Sequence, residues 1–262
     1  MSVEANNLQG GDFKVDSLSI SFGGLKAVNQ FNLHLKPMEL QGLIGPNGAG
    51  KTTCFNLITG VYQPDSGTMV LNGKSLLGLA PYQIAREGIA RTFQNIRLFA
   101  DLSVLENVMV SYHMNVEYGY WDVFLRTPRY YRIEQAFRER ALELLRVMGL
   151  ENRQADKAKS LPYGDQRRLE IARALATNPK VLLLDEPAAG LNTQEKAELM
   201  GTIAEIRNRY KTTILLIEHD MKLVMGICEK ITVLDHGEII AVGTAREIQD
   251  NPKVIEAYLG VE

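Results

Sequence analysis

The sequence predicts an α/β fold in which a parallel-sheet core carries a small antiparallel sheet and a helical segment. Three observations predict it. Apolar runs at Val181–Leu184, Thr213–Ile217 and Ile231–Leu234 alternate with helical stretches, as strands buried on both faces of a parallel sheet do. A glycine-rich turn, Gly45 to Thr52, joins the apolar run Leu40–Ile44 to a helical stretch. Near the start, apolar residues alternate with polar ones, the period of half-buried antiparallel strands.

In chain order, residues 1–12 are polar and are expected to be loosely ordered. Val15, Leu18, Ile20 and Phe22, then Phe31, Leu33 and Leu35, mark two strands turning at Gly23–Gly24. A further strand runs Thr68–Leu71 and closes at Asn72–Gly73. Ile89–Phe93 reads as a strand, and Ala100–Lys159 as mostly helical, with a helix over Ile133–Met148 capped by Gly149. The chain ends in a short helix, Pro252–Leu259. The parallel core is therefore expected over 37–93 and 166–245, the antiparallel sheet over 13–36 and 66–73, and the helical subdomain over about 95–165. Residues 13–245 form one domain in this reading, with 246–262 as a helical tail.

Composition narrows the function classes. The chain has 262 residues, 45% of them hydrophobic, enough for a sizeable core, and a formal net charge of −2. That balance argues against a broad nucleic-acid-binding face, so no nucleic-acid partner is expected. Met1–Phe13 lacks the basic start and apolar run of a leader, and no stretch approaches ~18 apolar residues. If the protein serves a membrane process, other chains must cross the bilayer. Cys54 and Cys228, far apart, read as two reduced, buried thiols of a cytosolic protein.

Two motifs carry chemistry. Gly45-Pro46-Asn47-Gly48-Ala49-Gly50-Lys51-Thr52 fits the phosphate-binding pattern G-x-x-x-x-G-K-[ST]. Its backbone N–H groups converge on phosphate oxygens, and the following helix adds the positive end of its dipole. Lys51 reaches the β- and γ-phosphates of ATP, and Thr52 offers a hydroxyl to Mg²⁺. Asp185 and Glu186 end the apolar strand at the edge where α/β sheets bind ligands. There Asp185 would hold Mg²⁺ and Glu186 would act as general base on water. Gln94 follows a strand and could contact Mg²⁺ and the attacking water; His219 follows another and could reach the γ-phosphate. Phe22 either stacks on adenine or is a core aromatic at a strand end.

These pieces in this order identify a family: the chain resembles ATP-binding cassette (ABC) ATPase subunits over nearly its whole length. The family's Leu-Ser-Gly-Gly-Gln signature stands here as Leu161-Pro162-Tyr163-Gly164-Asp165, followed by Gln166. The resemblance implies a P-loop fold with a RecA-like core, the subdomains above, and a phosphate-binding set extending to Thr53. It further implies that Leu161, Tyr163, Gly164 and Asp165 face the γ-phosphate bound by the opposite subunit of a head-to-tail dimer. Pro162 lacks the hydroxyl and N–H of the usual Ser; Asp165 beside a phosphate is unfavourable unless its side chain turns back to cap the helix start. Ala189-Gly190-Leu191-Asn192 sits where the family has its dimer-contact loop, with Asn in place of the commoner Asp.

Within the family, the chain looks most like the larger ATPase of branched-chain amino-acid importers. Phe22–Val28, Arg91–Gln94 with Arg97–Phe99, Tyr163–Glu170, Ile217–Met225 and the tail Asn251–Gly260 carry that likeness. It implies a second, similar ATPase, membrane permease subunits docking near the segment after Gln94, an external solute-binding protein, and a place on the cytoplasmic face of the membrane. Urea importers and lipopolysaccharide-extracting ATPases rank second. A switch GTPase would need an N-K-x-D motif, and a genome-maintenance ATPase a long coiled-coil interruption; both are absent. Seven aromatics between Tyr112 and Tyr131 (with Tyr118, Tyr120, Trp121, Phe124 and Tyr130) read either as an insertion packed on its own subdomain or as a surface touching membrane subunits or the bilayer edge.

Overall fold

The computed structural model describes residues 10–115 and 119–259. Two sheets share the chain. The first is antiparallel, built from β1 (Phe13–Phe22), β2 (Leu25–Leu35), and, after the central strand β3 (Leu40–Ile44) and helix α1 (Lys51–Ile58), from β4 (Ser66–Leu71) and β5 (Lys74–Ser75), in the order β2-β1-β4-β5. Helix α2 (Pro81–Glu87) leads to β6 (Ile89–Arg91) and then to the helical region: α3 (Val104–Tyr112), α4 (Tyr120–Phe124), α5 (Pro128–Val147) and α6 (Tyr163–Ala176). The chain then alternates β7 (Val181–Asp185), α7 (Thr193–Tyr210), β8 (Thr213–Ile217), α8 (Met221–Ile227) and β9 (Lys230–Asp235). It closes with β10 (Glu238–Gly243), α9 (Ala245–Gln249) and α10 (Pro252–Leu259).

The second sheet has the order β10-β9-β3-β8-β7-β6. Its strands β9, β3, β8, β7 and β6 pair in parallel, so their C-terminal ends share one edge. Strands β3, β7 and β8 are buried at every residue, which is why they read as unbroken apolar runs. Period-two alternation divides each between two cores. Leu182, Leu184, Ile214 and Leu216 pack with the helices, while Val181, Leu183, Leu215 and Ile217 pack with α1 and the antiparallel sheet. The helices on one face and the small sheet on the other thus flank the sheet whose strand ends share one edge.

Three expectations need correcting. Residues 1–9 lie outside the described part, but Gly10–Asp12 are ordered: the Gly11 N–H donates to Lys180 O at 3.0 Å, and Thr213 Oγ1 donates to Gly11 O at 3.0 Å. Those backbone groups are anchored by the ends of β7 and β8, a contact that polarity along the sequence does not register. Strand β6 stops at Arg91, although Thr92 N–H still donates to Leu183 O at 2.9 Å. The sheet also gains an antiparallel edge, β10, across the His236–Gly237 turn. Both Cys54 and Cys228 are free and buried, as expected; burial raises both thiol pKa values, Cys228 to about 12.

Candidate functional site

The loop after β3 is shaped by close backbone approaches. A Cβ on Gly45 would lie 2.0 Å from Leu234 O, and one on Gly50, at φ 102°, 2.8 Å from Ala27 O. Only glycine fits at either place. Gly50 caps α1 without any side-chain acceptor, so the first N–H groups, including those of Lys51, Thr52 and Thr53, have no intrahelical partner. With the helix dipole they form an anion cradle. Lys51 is buried, and its Nζ donates to Gly45 O at 2.7 Å and Pro46 O at 2.8 Å, spanning the loop of Pro46, Asn47, Gly48 and Ala49. Burial lowers its pKa, and the carboxylates of Glu186 and Asp185 oppose that shift.

Strand β7 delivers the two carboxylates differently. Asp185 is buried and accepts from Arg91 Nη2 at 2.6 Å; Arg91 Nη1 donates to Asn56 Oδ1 on α1 at 2.7 Å. Arg91 thereby ties β6, β7 and α1 into one block. Glu186 takes a left-handed φ of 48°, unusual for a residue with a Cβ, and its N–H donates to Ile217 O at 2.9 Å. That turn aims its carboxylate at two other candidates. Gln94 Nε2 donates to Glu186 Oε2 at 3.1 Å, and His219 Nε2 lies 2.5 Å from Glu186 Oε1. Three residues far apart in sequence thus meet at the ends of β6, β7 and β8.

Sequence reasoning passed over four charged residues that hold this geometry. Besides Arg91, buried Glu218 accepts from Ala188 N–H at 2.7 Å and from His219 N–H at 3.3 Å, fixing the loop after Glu186. Burial raises the pKa of Glu218, partly offset by those N–H groups. On α6, fully buried Arg167 donates to Phe93 O at 2.7 Å, to Gln94 O, and to the Tyr163 hydroxyl at 3.0 Å. Glu170 pairs with Arg167 at 3.3 Å and accepts from the N–H groups of Phe93 and Arg97. The only signal for this clamp was an Arg and a Glu spaced i,i+3 beside Leu169 and Ile171 on the buried side of a helix.

The segment Leu161–Asp165 opens α6. Pro162 is its N-cap, where the missing N–H is no loss because that position has no intrahelical acceptor. Leu161 and Gly164 are buried, while Tyr163 is half exposed and lies against Gly190. Asp165 pairs with Arg153 at 3.5 Å and Arg168 at 3.6 Å, so two cations rather than the helix start engage its carboxylate. Asn192 caps α7 by accepting from Glu195 N–H, a task an Asp would do equally. Phe22 is partly exposed and meets Tyr62 edge-on, centroids 5.2 Å apart.

The donors fit Mg²⁺ rather than a softer ion. Thr52 is exposed at the start of α1, Asp185 has Oδ1 beyond the oxygen held by Arg91, and Gln94, with its nitrogen turned to Glu186, keeps its amide oxygen. Among the described residues no group of three or more His, Cys, Asp or Glu could form a protein-only cage. Oxygen ligands from one carboxylate, completed by water and phosphate, are what Mg²⁺ prefers.

The family model described as ABC transporter matches residues 28–189, and one described as branched-chain amino acid ATP-binding cassette transporter matches 238–262. The chain is 52% identical over 246 residues to the high-affinity branched-chain amino acid transport ATP-binding protein LivG of Escherichia coli (strain K12), covering 94% of this chain and 96% of that one. Among solved structures, the ADP conformation of MJ1267, an ATP-binding cassette of an ABC transporter, superposes with a TM-score of 0.83 at 29% identity, over 95% and 99% of the two chains. The dimeric, post-hydrolysis cassette MJ0796 bound to ADP and Pi gives 0.74 at 26%, over 89% and 99%. Fold, motifs and relatives agree: the chain belongs to the ABC transporter family, as an ATP-hydrolysing cassette.

Proposed function

We propose that this chain powers the import of branched-chain amino acids, as one ATPase of a pair working on membrane permease subunits. The observation that carries this reading is the 52% identity to LivG over nearly all of both chains, extended by the match of the tail to the branched-chain cassette model. The alternative, a lipopolysaccharide-exporting system, has a relative at 33% identity, LptB of Haemophilus influenzae.

In this reading ATP lies on the cradle of Gly45–Thr53, its adenine beside Phe22 and its γ-phosphate within reach of Lys51. Mg²⁺, held through Thr52, Asp185 and Gln94, would neutralise phosphate charge. Glu186 orients the attacking water and takes its proton, and His219 and Gln94 keep that carboxylate in place. A partner subunit contributes its own signature segment to the γ-phosphate. Closure of the pair then moves the permease, which sits over a groove of about 410 Å³ lined by Phe93, Arg97, Glu170 and Arg173, next to the clamp that ends on Gln94. The subunit works at the cytoplasmic face of the membrane; none of its described helices is long and apolar enough to cross one.

The test is to purify the chain with its permease and partner ATPase, and to measure ATP hydrolysis as amino acids are presented by the binding protein. Stimulation by leucine, isoleucine or valine, and not by urea or acidic amino acids, is expected. Stimulation confined to a different solute would contradict the proposed cargo while leaving the ATPase intact.

A further inference from the structure

The aromatic stretch between α3 and α5 is not used by the nucleotide site. Tyr118 and the side chain of Tyr120 lie outside the described residues. Of the rest, Tyr112 turns inward and stacks on Phe137, centroids 5.2 Å apart, as a packed insertion would. The residues from Trp121 onward do the opposite. Trp121 is 75% exposed, Phe124 80%, Leu125 65% and Tyr131 56%, more exposed large apolar side chains than any other run as short among the described residues. Trp121 and Phe124 meet edge-on, centroids 6.4 Å apart, so these two rings form one exposed pair. A tight turn holds that pair out: Asp122 accepts from Thr127 Oγ1 at 2.7 Å and from Gly119 N–H at 3.2 Å, and Thr127 caps α5. The stretch 119–132 carries one carboxylate, Asp122, which is engaged in the turn, and three arginines, Arg126, Arg129 and Arg132.

Exposed Trp, Phe, Leu and Tyr interleaved with arginine is the composition of a lipid–water interface. The indole and phenol rings suit the headgroup level, the aliphatic groups suit the acyl boundary, and the arginines suit phosphate-bearing lipids. We infer that the stretch from Trp121 to Arg132 is a lipid-contact surface, recognising a bilayer that carries anionic headgroups. None of its residues lines the groove over Phe93 and Arg97, so it would add a second point of attachment beside the permease. The inference needs only that the cassette works beside a membrane, and stands whichever solute is carried.

The test uses the purified full chain and flotation with two kinds of vesicle, phosphatidylcholine alone and phosphatidylcholine with phosphatidylglycerol. Flotation is expected with the mixed vesicles and not with phosphatidylcholine alone. It should weaken by roughly five-fold for each of Arg126→Gln and Arg132→Gln, and should vanish in the Trp121→Ser, Phe124→Ser double variant. ATP hydrolysis measured in parallel without lipid should be unchanged in all variants, which reports that they are folded. Indifference to both vesicle types would overturn the inference and leave the face to a membrane-spanning subunit. Binding that persists in the double variant, or self-association lost in it without any flotation, would overturn it as well.

Discussion

At the scale of single residues, the site depends on charges that are buried in pairs. Arg91 and Asp185 are almost wholly out of water, and each is the other's main compensation. Replacing one partner of such a pair leaves an uncompensated charge and costs about 3–5 kcal/mol. Arg91→Met keeps the volume and removes the cation, so urea unfolding should report a loss of that size. A change under about 1 kcal/mol would mean that Asp185 finds another partner or takes up a proton. Glu186 was visible in the sequence because it follows Asp185 at a strand end. Its left-handed backbone and its bonds to Gln94 and His219 were not visible, because they arise where three strand ends, with contacts 92 and 33 residues apart in sequence, come together. Arg91 was hidden for the same reason: a cation one residue before a threonine carries no mark of the carboxylate it will meet.

At the scale of elements, local signals matched local structure. Strands β7 and β8 and helix α1 form where apolar runs and the glycine turn put them, within a residue or so. The misses are elements settled by a partner. Strand β10 is an edge whose alternation is weak, and it exists because β9 offers a free ladder. The start of α6 is the other case. The sequence drew attention to Pro162 as a missing hydroxyl and to Asp165 as a carboxylate unfavourable beside a phosphate, yet the proline serves as N-cap and Asp165 turns to arginines. Pro162→Ser would supply a capping oxygen, worth roughly 0.5–2 kcal/mol, against roughly 0.4–1 kcal/mol lost by loosening the unfolded chain. Thermal unfolding should therefore stay level or rise slightly, with ATP hydrolysis retained. A collapse of hydrolysis in a stably folded variant would assign the proline a part in shaping the signature.

At the scale of the whole molecule, the parallel sheet gathers four loops on one edge, and α6 connects that edge to the helical region through Arg167 and Glu170. Class of fold and nucleotide chemistry were legible in the sequence, since each is written in contiguous motifs. The clamp joining Tyr163, Arg167 and Gln94 was not, since it depends on how a helix packs over a loop. In the proposed mechanism Glu186, held by Gln94 and His219, is the base for ATP hydrolysis. The most direct measurement is steady-state hydrolysis by Glu186→Gln beside its ATP affinity and its sedimentation with ATP and Mg²⁺. Turnover should fall at least about 100-fold, with ATP affinity within a few-fold of the unaltered chain and an ATP-dependent dimer that persists. Near-normal hydrolysis by Glu186→Gln would contradict that mechanism.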